Sequence, residues 1–486
     1  METVIFWFRQ DLRLSDNPAL SAALQNKRQV IPLFIHSDHN DNDNIEWQPG
    51  AASRWWLHRS LESLSADIKA RGSQLILKKG PPLEVLRKLI KQTRATAIYI
   101  NTLYEPEYSK RDETIRSALE NEGIDFHYHH CNLLCSPDHV RNKSGNPYKV
   151  FTPFYRYYIQ NGFDTRVQAK PKQLPKIASN IKSDTLKSLG LLPKIKWYDN
   201  FEIVWQPGEP AANKTLQAFC KKRLVEYPKA RDIPAEDGTS HLSAYLHFGE
   251  ISPRQIIAYL NKTADASAIP GASKARDAVI RQLIWRDFAH HVLVHFPFTT
   301  TQPFNKTYKK FPWKRSDKHF FDAWKKGNTG IPIIDAGMRQ LWQTGIMHNR
   351  VRMIVASLLT KNANLHWLVG ARWFWDTLVD ADLANNSLNW QWVAGCGVDA
   401  APYFRIFNPV TQGKKFDAQG DYIREWVPEL KQVPARYIHD PWNTPEKVLQ
   451  EIDLVIGKDY PAPILDVSNT RKQALVHYNK HRKETR

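Results

Sequence analysis

Within the first 130 residues, short apolar runs alternate with stretches of helical period, and this alternation restricts the fold more than any other feature of the chain. The runs at 4–8, 29–36, 74–78, 97–101 and 124–128 are rich in β-branched and aromatic residues. Between them, residues 53–71, 83–92 and 108–122 carry apolar side chains at helical spacing. Strands separated by helical crossovers lie parallel, and a parallel sheet needs cover on both faces. Residues 1–131 are therefore expected to form an α/β domain around a parallel five-stranded sheet. No GxGxxG follows the first strand and no GxxxxGK[ST] occurs anywhere, so neither an ordinary dinucleotide fingerprint nor a P-loop is present.

From 132 to 226, expected as an interdomain linker and the start of the helical region, the periodicity decays. Residues 169–185 are rich in Lys, Pro, Ser and Asn and read as a long connecting segment. Beyond 227, a period near 3.6 returns at 280–294, 337–359 and 364–378, which predicts an all-α region of 227–486 whose helical pattern runs to about residue 440. Residues after 466 are polar and basic. The chain of 486 residues has Lys plus Arg 68 against Asp plus Glu 49, a formal charge of +19, and nucleic acid is the commonest polyanionic partner for such an excess. No apolar run approaches the roughly 18 residues of a membrane helix, and four Cys in so long a chain make no disulfide scaffold. An acidic second residue stands where a secretory signal is basic, so a soluble intracellular protein is expected.

Several clusters are open to more than one reading. His127, His129, His130, Cys131 and Cys135 are metal-ligand types, but the Cys pair lacks a matching second pair, and the expectation is a strand end with buried thiols and no metal. Residues 305–326 set eight basic side chains (Lys306, Lys309, Lys310, Lys314, Arg315, Lys318, Lys325, Lys326) against Asp317 and Asp322, interleaved with six aromatics. That pattern is either a solvated face or a phosphate-contacting surface. Gly238-Thr239-Ser240 precedes a helical run, either as a simple cap or as a phosphate site at a helix start. Gln282, Trp285 and Arg286 share one helical face, and Asn349, Arg352 and Met353 share another. Asn386 and Trp390 lie four apart, while Trp392 points about 200° from Trp390. Nine of the 17 tryptophans fall between Trp285 and Trp392, which serves core packing, base stacking or electron relay.

Six long stretches, in order, resemble a DNA photolyase of the photolyase/cryptochrome flavoprotein family, of the class I-like cyclobutane pyrimidine dimer type. They are FWFRQDLRLSDNPAL, GTSHLSAYLHFGEISPR, QLIWRDF, WKKGNTGIPIIDAGMRQL, MHNRVRM and NNSLNWQWVAGCGVDAAPYFRIFNP. The resemblance implies an N-terminal α/β antenna domain joined by a long linker to an all-α FAD-binding domain. It implies that Tyr227, Thr239, Ser240, Leu242 and Ser243 hold the FAD phosphates and ribityl chain. Arg352 and Asp380 would flank the isoalloxazine, Asp382 would lie close to it, and Asn386 beside its N5. Trp390, Trp367 and Trp313 match a photoreduction chain running from flavin to surface. Trp285, Trp392 and Met353 would line a lesion pocket, with Gln282, Arg286, Asn349, Arg350, Arg405 and Arg231 meeting the lesion or its phosphates.

The implied activity is light-driven electron transfer from reduced FAD to a pyrimidine dimer flipped out of damaged DNA, by a monomer in the cytoplasm. A poorly paired dimer costs less to extrude than a normal base, and aromatic walls receive it by stacking. A neutral Asn386 offers N5 a hydrogen-bond partner without a second negative charge. A (6-4) photolyase carries His at the positions of Asn349 and Met353; a plant-type cryptochrome carries an acid at that of Asn386 and a long C-terminal extension. The chain departs from the cyclobutane pattern at Gln282, usually Glu, and at Ile346, usually Trp. Glu105, in LYEPE, matches the acid that holds the pterin of 5,10-methenyltetrahydrofolate in relatives, which makes that folate the expected antenna ahead of a deazaflavin.

Overall fold

The computed structural model describes residues 2–37, 46–177, 180–266, 270–314 and 316–485. Five parallel strands, β1 (Thr3–Phe8), β2 (Gln29–His36), β3 (Ile76–Lys79), β4 (Ala97–Asn101) and β5 (Asp125–His129), form one sheet in the order β3-β2-β1-β4-β5. Every expected strand is present, with ends moved by no more than two residues. The order reverses between β1 and β4, so the carboxyl ends of these two strands border a topological switch point.

Alternation along β1 divides the core in two. Ile5 and Trp7 pack in the outer layer with Leu33, Ile98 and Leu86, under the helices Pro82–Thr93 and Pro106–Glu120. Val4, Phe6 and Phe8 face the other way, onto Trp55 and Trp56 of the helix Ala51–Ala70. That second core continues without a break into the helical region, through Phe201 and Tyr245 to Trp367 and Trp390.

The stretch FRQDLRLSDN after β1 is an interdomain lock. Arg13, fully buried, donates to Asn132 Oδ1 at 3.0 Å and to the Gly249 carbonyl at 2.8 Å. Asp16 accepts from Ser252 Oγ at 2.5 Å and Arg254 Nε at 3.0 Å, and the Leu14 amide donates to Glu209 at 2.9 Å. A buried guanidinium with its donors used is a strong, directional tie.

The segment 132–226, expected as a linker and the start of the helical region, holds the helices Phe151–Asn161, Phe201–Val204 and Glu209–Lys222. Two expectations change. The helical run at 337–359 is two helices, Pro332–Thr344 and Asn349–Ser357, because Gly345 turns left-handed at φ 69° with Val379 and Phe201 too close for any Cβ, and His348 caps the next helix. Helical structure also extends past residue 440. Asp466 caps the helix Val467–Glu484, which packs back through Asn362 on Thr470 at 2.9 Å and a Tyr403–Tyr478 stack. Among the described residues no helix is long and apolar enough to cross a membrane.

Candidate functional site

The expected flavin residues lie on four segments, of which two meet through Arg352 and Asp380. Tyr227 is buried on the short helix Tyr227–Ala230, with the Arg231 guanidinium 5.3 Å over its ring. Gly238 has no room for a side chain, since a Cβ would lie 2.5 Å from the Ala230 backbone, so the chain passes tightly into 239–242. Thr239 and Ser240 are half-buried, Leu242 is buried and Ser243 is exposed at the start of the helix Ser243–His247. No side chain caps that helix, so its first amides remain for an outside acceptor.

Arg352 and Asp380 form an ion pair, Nη2 lying 3.0 Å from both carboxylate oxygens, with the carboxylate buried. Asn386 donates from Nδ2 to the Ala371 carbonyl at 3.0 Å, which fixes the amide orientation and leaves Oδ1 uncommitted. An acceptor at this position suits a donating N5–H. Uncapped amides, a tight glycine passage, a buried ion pair and an oriented neutral amide are what a flavin dinucleotide requires, and the residues fit FAD.

Asp382 has partners that the chain alone did not reveal. Its Oδ1 caps the helix Leu383–Ala394 through the Asn385 amide at 2.8 Å, and its Oδ2 faces His290 Nε2 at 3.4 Å and His247 Nδ1 at 3.8 Å. Burial alone would raise this carboxyl, but the two histidines hold it well below the usual range. Asp382 thus orients the helix that carries Asn386, Trp390 and Trp392.

Of the three tryptophans matched to the photoreduction chain, two are buried and one is half-buried. Trp390 and Trp367 are 3% and 0% exposed, whereas Trp313 is half-buried. Trp390 lies against Gly370, one turn from Trp367 on the helix Trp367–Thr377, where a Cβ would overlap the indole. His366 bridges the other step, its ring 5.6 Å from both Trp367 and Trp313.

The residues expected to line a lesion pocket lie on three helices, Ala272–His295, Asn349–Ser357 and Leu383–Ala394. Trp285 and Trp392 are half-buried, as is Met353. Asn349 is exposed and its Nδ2 lies 4.0 Å from Met353 Sδ. Gln282 accepts from Arg231 Nη2 at 3.2 Å. Arg350 pairs with Asp232 at 2.8 Å and lies 4.2 Å over the Phe416 ring, and Arg405 is exposed. Arg286 does not join them. It donates to the carbonyls of Asn132 at 2.5 Å and Leu246 at 3.4 Å, toward the domain interface.

Glu105 is not an exposed loop acid. It is 8% exposed, both its oxygens accept from Gln10 Nε2 at 3.2 Å, and burial pushes its carboxyl above the usual range. It lines a cavity of about 170 Å³ with Gln10, His36, Arg54, His247 and Trp375. This cavity sits beyond the carboxyl ends of β1, β2 and β4, at the switch point of the sheet.

The histidine and cysteine cluster lies at and just after the end of β5. His127 stacks on Tyr99 at 4.5 Å, and His130 meets Tyr104 at 2.9 Å. Cys131 is buried, and among the described residues no three His, Cys, Asp or Glu converge to hold a metal. In 305–326 the aromatics Tyr308, Phe311, Phe320 and Trp324 are buried, so they build core beneath an exposed lysine face; Arg315 lies outside the described residues. Sequence reasoning missed His247, His290 and Phe151, whose surroundings come from distant segments. For Phe151 one signal was present, the aromatic spacing of FTPFYRYY inside a stretch read as connection.

Two family models match the chain: one described as DNA photolyase over residues 4–175, and one described as the FAD binding domain of DNA photolyase over 279–480. A deoxyribodipyrimidine photo-lyase of Agrobacterium fabrum is 42% identical over 99% of this chain and 98% of its own length. Cryptochrome-2 of Arabidopsis thaliana is 36% identical over 96% of this chain and 77% of its own. The crystal structure of a bacterial class III photolyase from Agrobacterium tumefaciens superposes with a TM-score of 0.93 at 42% identity, covering 99% of this chain and 98% of that one. With family models matching both halves of the chain and a relative 42% identical along almost its whole length, the chain belongs to the DNA photolyase family.

Proposed function

We propose that this chain repairs cyclobutane pyrimidine dimers in damaged DNA, using reduced FAD and light. The observation that carries this reading is the neutral pair Asn349 and Met353, whose Nδ2 and Sδ lie 4.0 Å apart with no histidine at either position, and Trp285 and Trp392 are half-buried. A (6-4) lesion needs a proton donor there; a cyclobutane ring needs only an electron and a dry stacking surface.

FAD, when bound, supplies the light-driven electron and takes it back. The chain binds, orients and excludes water. Arg352 with Asp380 and the amides at 243–245 would hold the cofactor, and Asn386 Oδ1 would accept a hydrogen bond from it without adding charge. Gln282 gives its Oε1 to Arg231, so its Nε2 is left to donate to a pyrimidine carbonyl, a contact that a carboxylate makes only when protonated. Trp390, Trp367 and Trp313 form the electron path between the buried site and the surface. The +19 charge supplies the sequence-independent hold on the phosphates.

The cavity at Glu105 is the antenna site in this reading, with 5,10-methenyltetrahydrofolate ahead of a deazaflavin. Its position at the switch point and its buried acid support that choice. The chain acts as a monomer.

The test uses purified, photoreduced protein with two oligonucleotides, one bearing a cyclobutane thymine dimer and the other a (6-4) photoproduct. Blue light is expected to remove the first lesion alone, with none lost in the dark. Repair of the second would overturn the substrate assignment. If neither is repaired by FAD-loaded protein, the chain is a cryptochrome-like photoreceptor.

A further inference from the structure

Trp285 is held by more than its own helix. Its indole stacks on Phe151, with ring centroids 3.5 Å apart and planes 8° apart, and Phe151 is 1% exposed. Phe288 closes a third side, 5.8 Å from each ring. An indole packed face to face against a buried ring cannot swing about χ1 or χ2 without breaking that contact.

Phe151 is placed in turn by a residue far along the chain. It opens the helix Phe151–Asn161, which has no side-chain cap from its preceding residue. The Phe151 amide instead donates to Asp399 Oδ2 at 3.0 Å, a cap supplied across 248 positions. Asp399 stands in the left-handed region at φ 46°, which a non-glycine residue occupies only where its surroundings require it. It belongs to the segment leaving the helix Leu383–Ala394, where the Ala401 amide returns to the Trp392 carbonyl at 3.2 Å. One carboxylate therefore ties the support of Trp285 to the backbone that carries Trp392.

We propose that Phe151 and Asp399 are positioning residues that set the gap between the indoles of Trp285 and Trp392, and so the affinity for a flipped-out dimer. The proposal rests on the reading of those indoles as the lesion wall. Neither residue touches the lesion; they act through Trp285.

The test uses FAD-loaded protein labelled with 5-fluorotryptophan, with the Trp285 fluorine resonance assigned by Trp285→Phe. Phe151→Leu and Asp399→Ala are expected to shift or broaden that resonance, and Asp399→Asn, which keeps an acceptor oxygen, to restore it. Affinity for the dimer oligonucleotide is expected to fall roughly three- to tenfold in the first two variants, the worth of one aromatic pair. Affinity for undamaged duplex, flavin absorbance and the single-turnover repair rate at saturating DNA stay unchanged. An unmoved Trp285 resonance overturns the proposal. So does a moved resonance with unchanged dimer affinity, or a loss of flavin absorbance in both variants, which would make the pair general framework. Where wild-type protein shows no preference for the dimer, the repair reading fails, and the fluorine spectra still decide the positioning.

Discussion

Trp56 Nε1 donates to Glu250 Oε2 at 3.0 Å across 194 positions, while Ser60 Oγ meets the other oxygen at 2.5 Å. Glu250 is fully buried where the helix Ala51–Ala70 meets the loop after Ser243–His247, and burial pushes its carboxyl up to about 8, against the pull of those two hydrogen bonds. Near neutrality the folded chain holds a proton here that the unfolded chain, at 4.5, has released. The contribution of Glu250 to stability is thus full below about pH 4.5 and lost as pH rises through about 8. Glu250→Gln keeps an acceptor for Trp56 and cannot ionise. Its melting temperature relative to wild type is expected to rise between about pH 5 and 8.5, by about 1 °C or more for a chain of this size. Thermal scans across that range check it, and a flat difference would refute it.

Lys361 gives the opposite slope. Its ammonium, 1% exposed, donates to the carbonyls of Tyr403 and Arg405 at 2.9 Å each, and burial pushes its pKa down to about 7 from 10.5. Between those values the unfolded chain binds the extra proton, so the contribution of Lys361 is present at high pH and lost as pH falls through about 7. Lys361→Met, which strands two carbonyls, is expected to lower the melting temperature, and to lower it more near pH 9 than near pH 6. A deficit that shrinks on going to high pH contradicts this.

Arg352 and Asp380 act as one unit. Breaking a mostly buried pair leaves the surviving charge uncompensated, so Arg352→Ala and Asp380→Asn are each expected to weaken FAD retention by about tenfold or more. The double variant should be hardly worse than either single one, because the shared interaction is lost only once. Flavin absorbance per protein after gel filtration measures this, with circular dichroism reporting the fold. Additive losses would mean that the two side chains act separately.

Gly370 gives access to the electron path without touching a tryptophan. A methyl group there overlaps the Trp390 indole, so Gly370→Ala must displace that ring. Photoreduction of bound FAD is expected to slow by about tenfold, with Trp367→Phe slower still and Trp313→Phe impaired only in the final step to solvent. Transient absorption on protein with full flavin content distinguishes these, and an unchanged rate in Gly370→Ala would remove Trp390 from the path.

The strand-and-helix alternation, the parallel sheet and the opposite bearings of Trp390 and Trp392 were all legible in the chain, because each follows from the local period of the backbone. The order of Trp390, Trp367 and Trp313 from flavin to surface came from family resemblance; the structure buries the first two and leaves Trp313 half-buried. Partners were another matter. Asp382 spends itself on a helix cap and two histidines, Arg286 turns to backbone carbonyls, Glu105 sinks into the interface, and the loop after β1 locks two domains. Nothing local marks these outcomes, since each polar group takes whichever donor or acceptor the folded chain brings within about 3 Å, often from more than 100 positions away. The break at Gly345 depended in the same way on Val379 and Phe201. Periodicity is written into consecutive residues, whereas hydrogen-bond satisfaction and close packing are properties of the assembled interior, and it was the interior that chose which of the recognised residues partner one another and which turn to backbone.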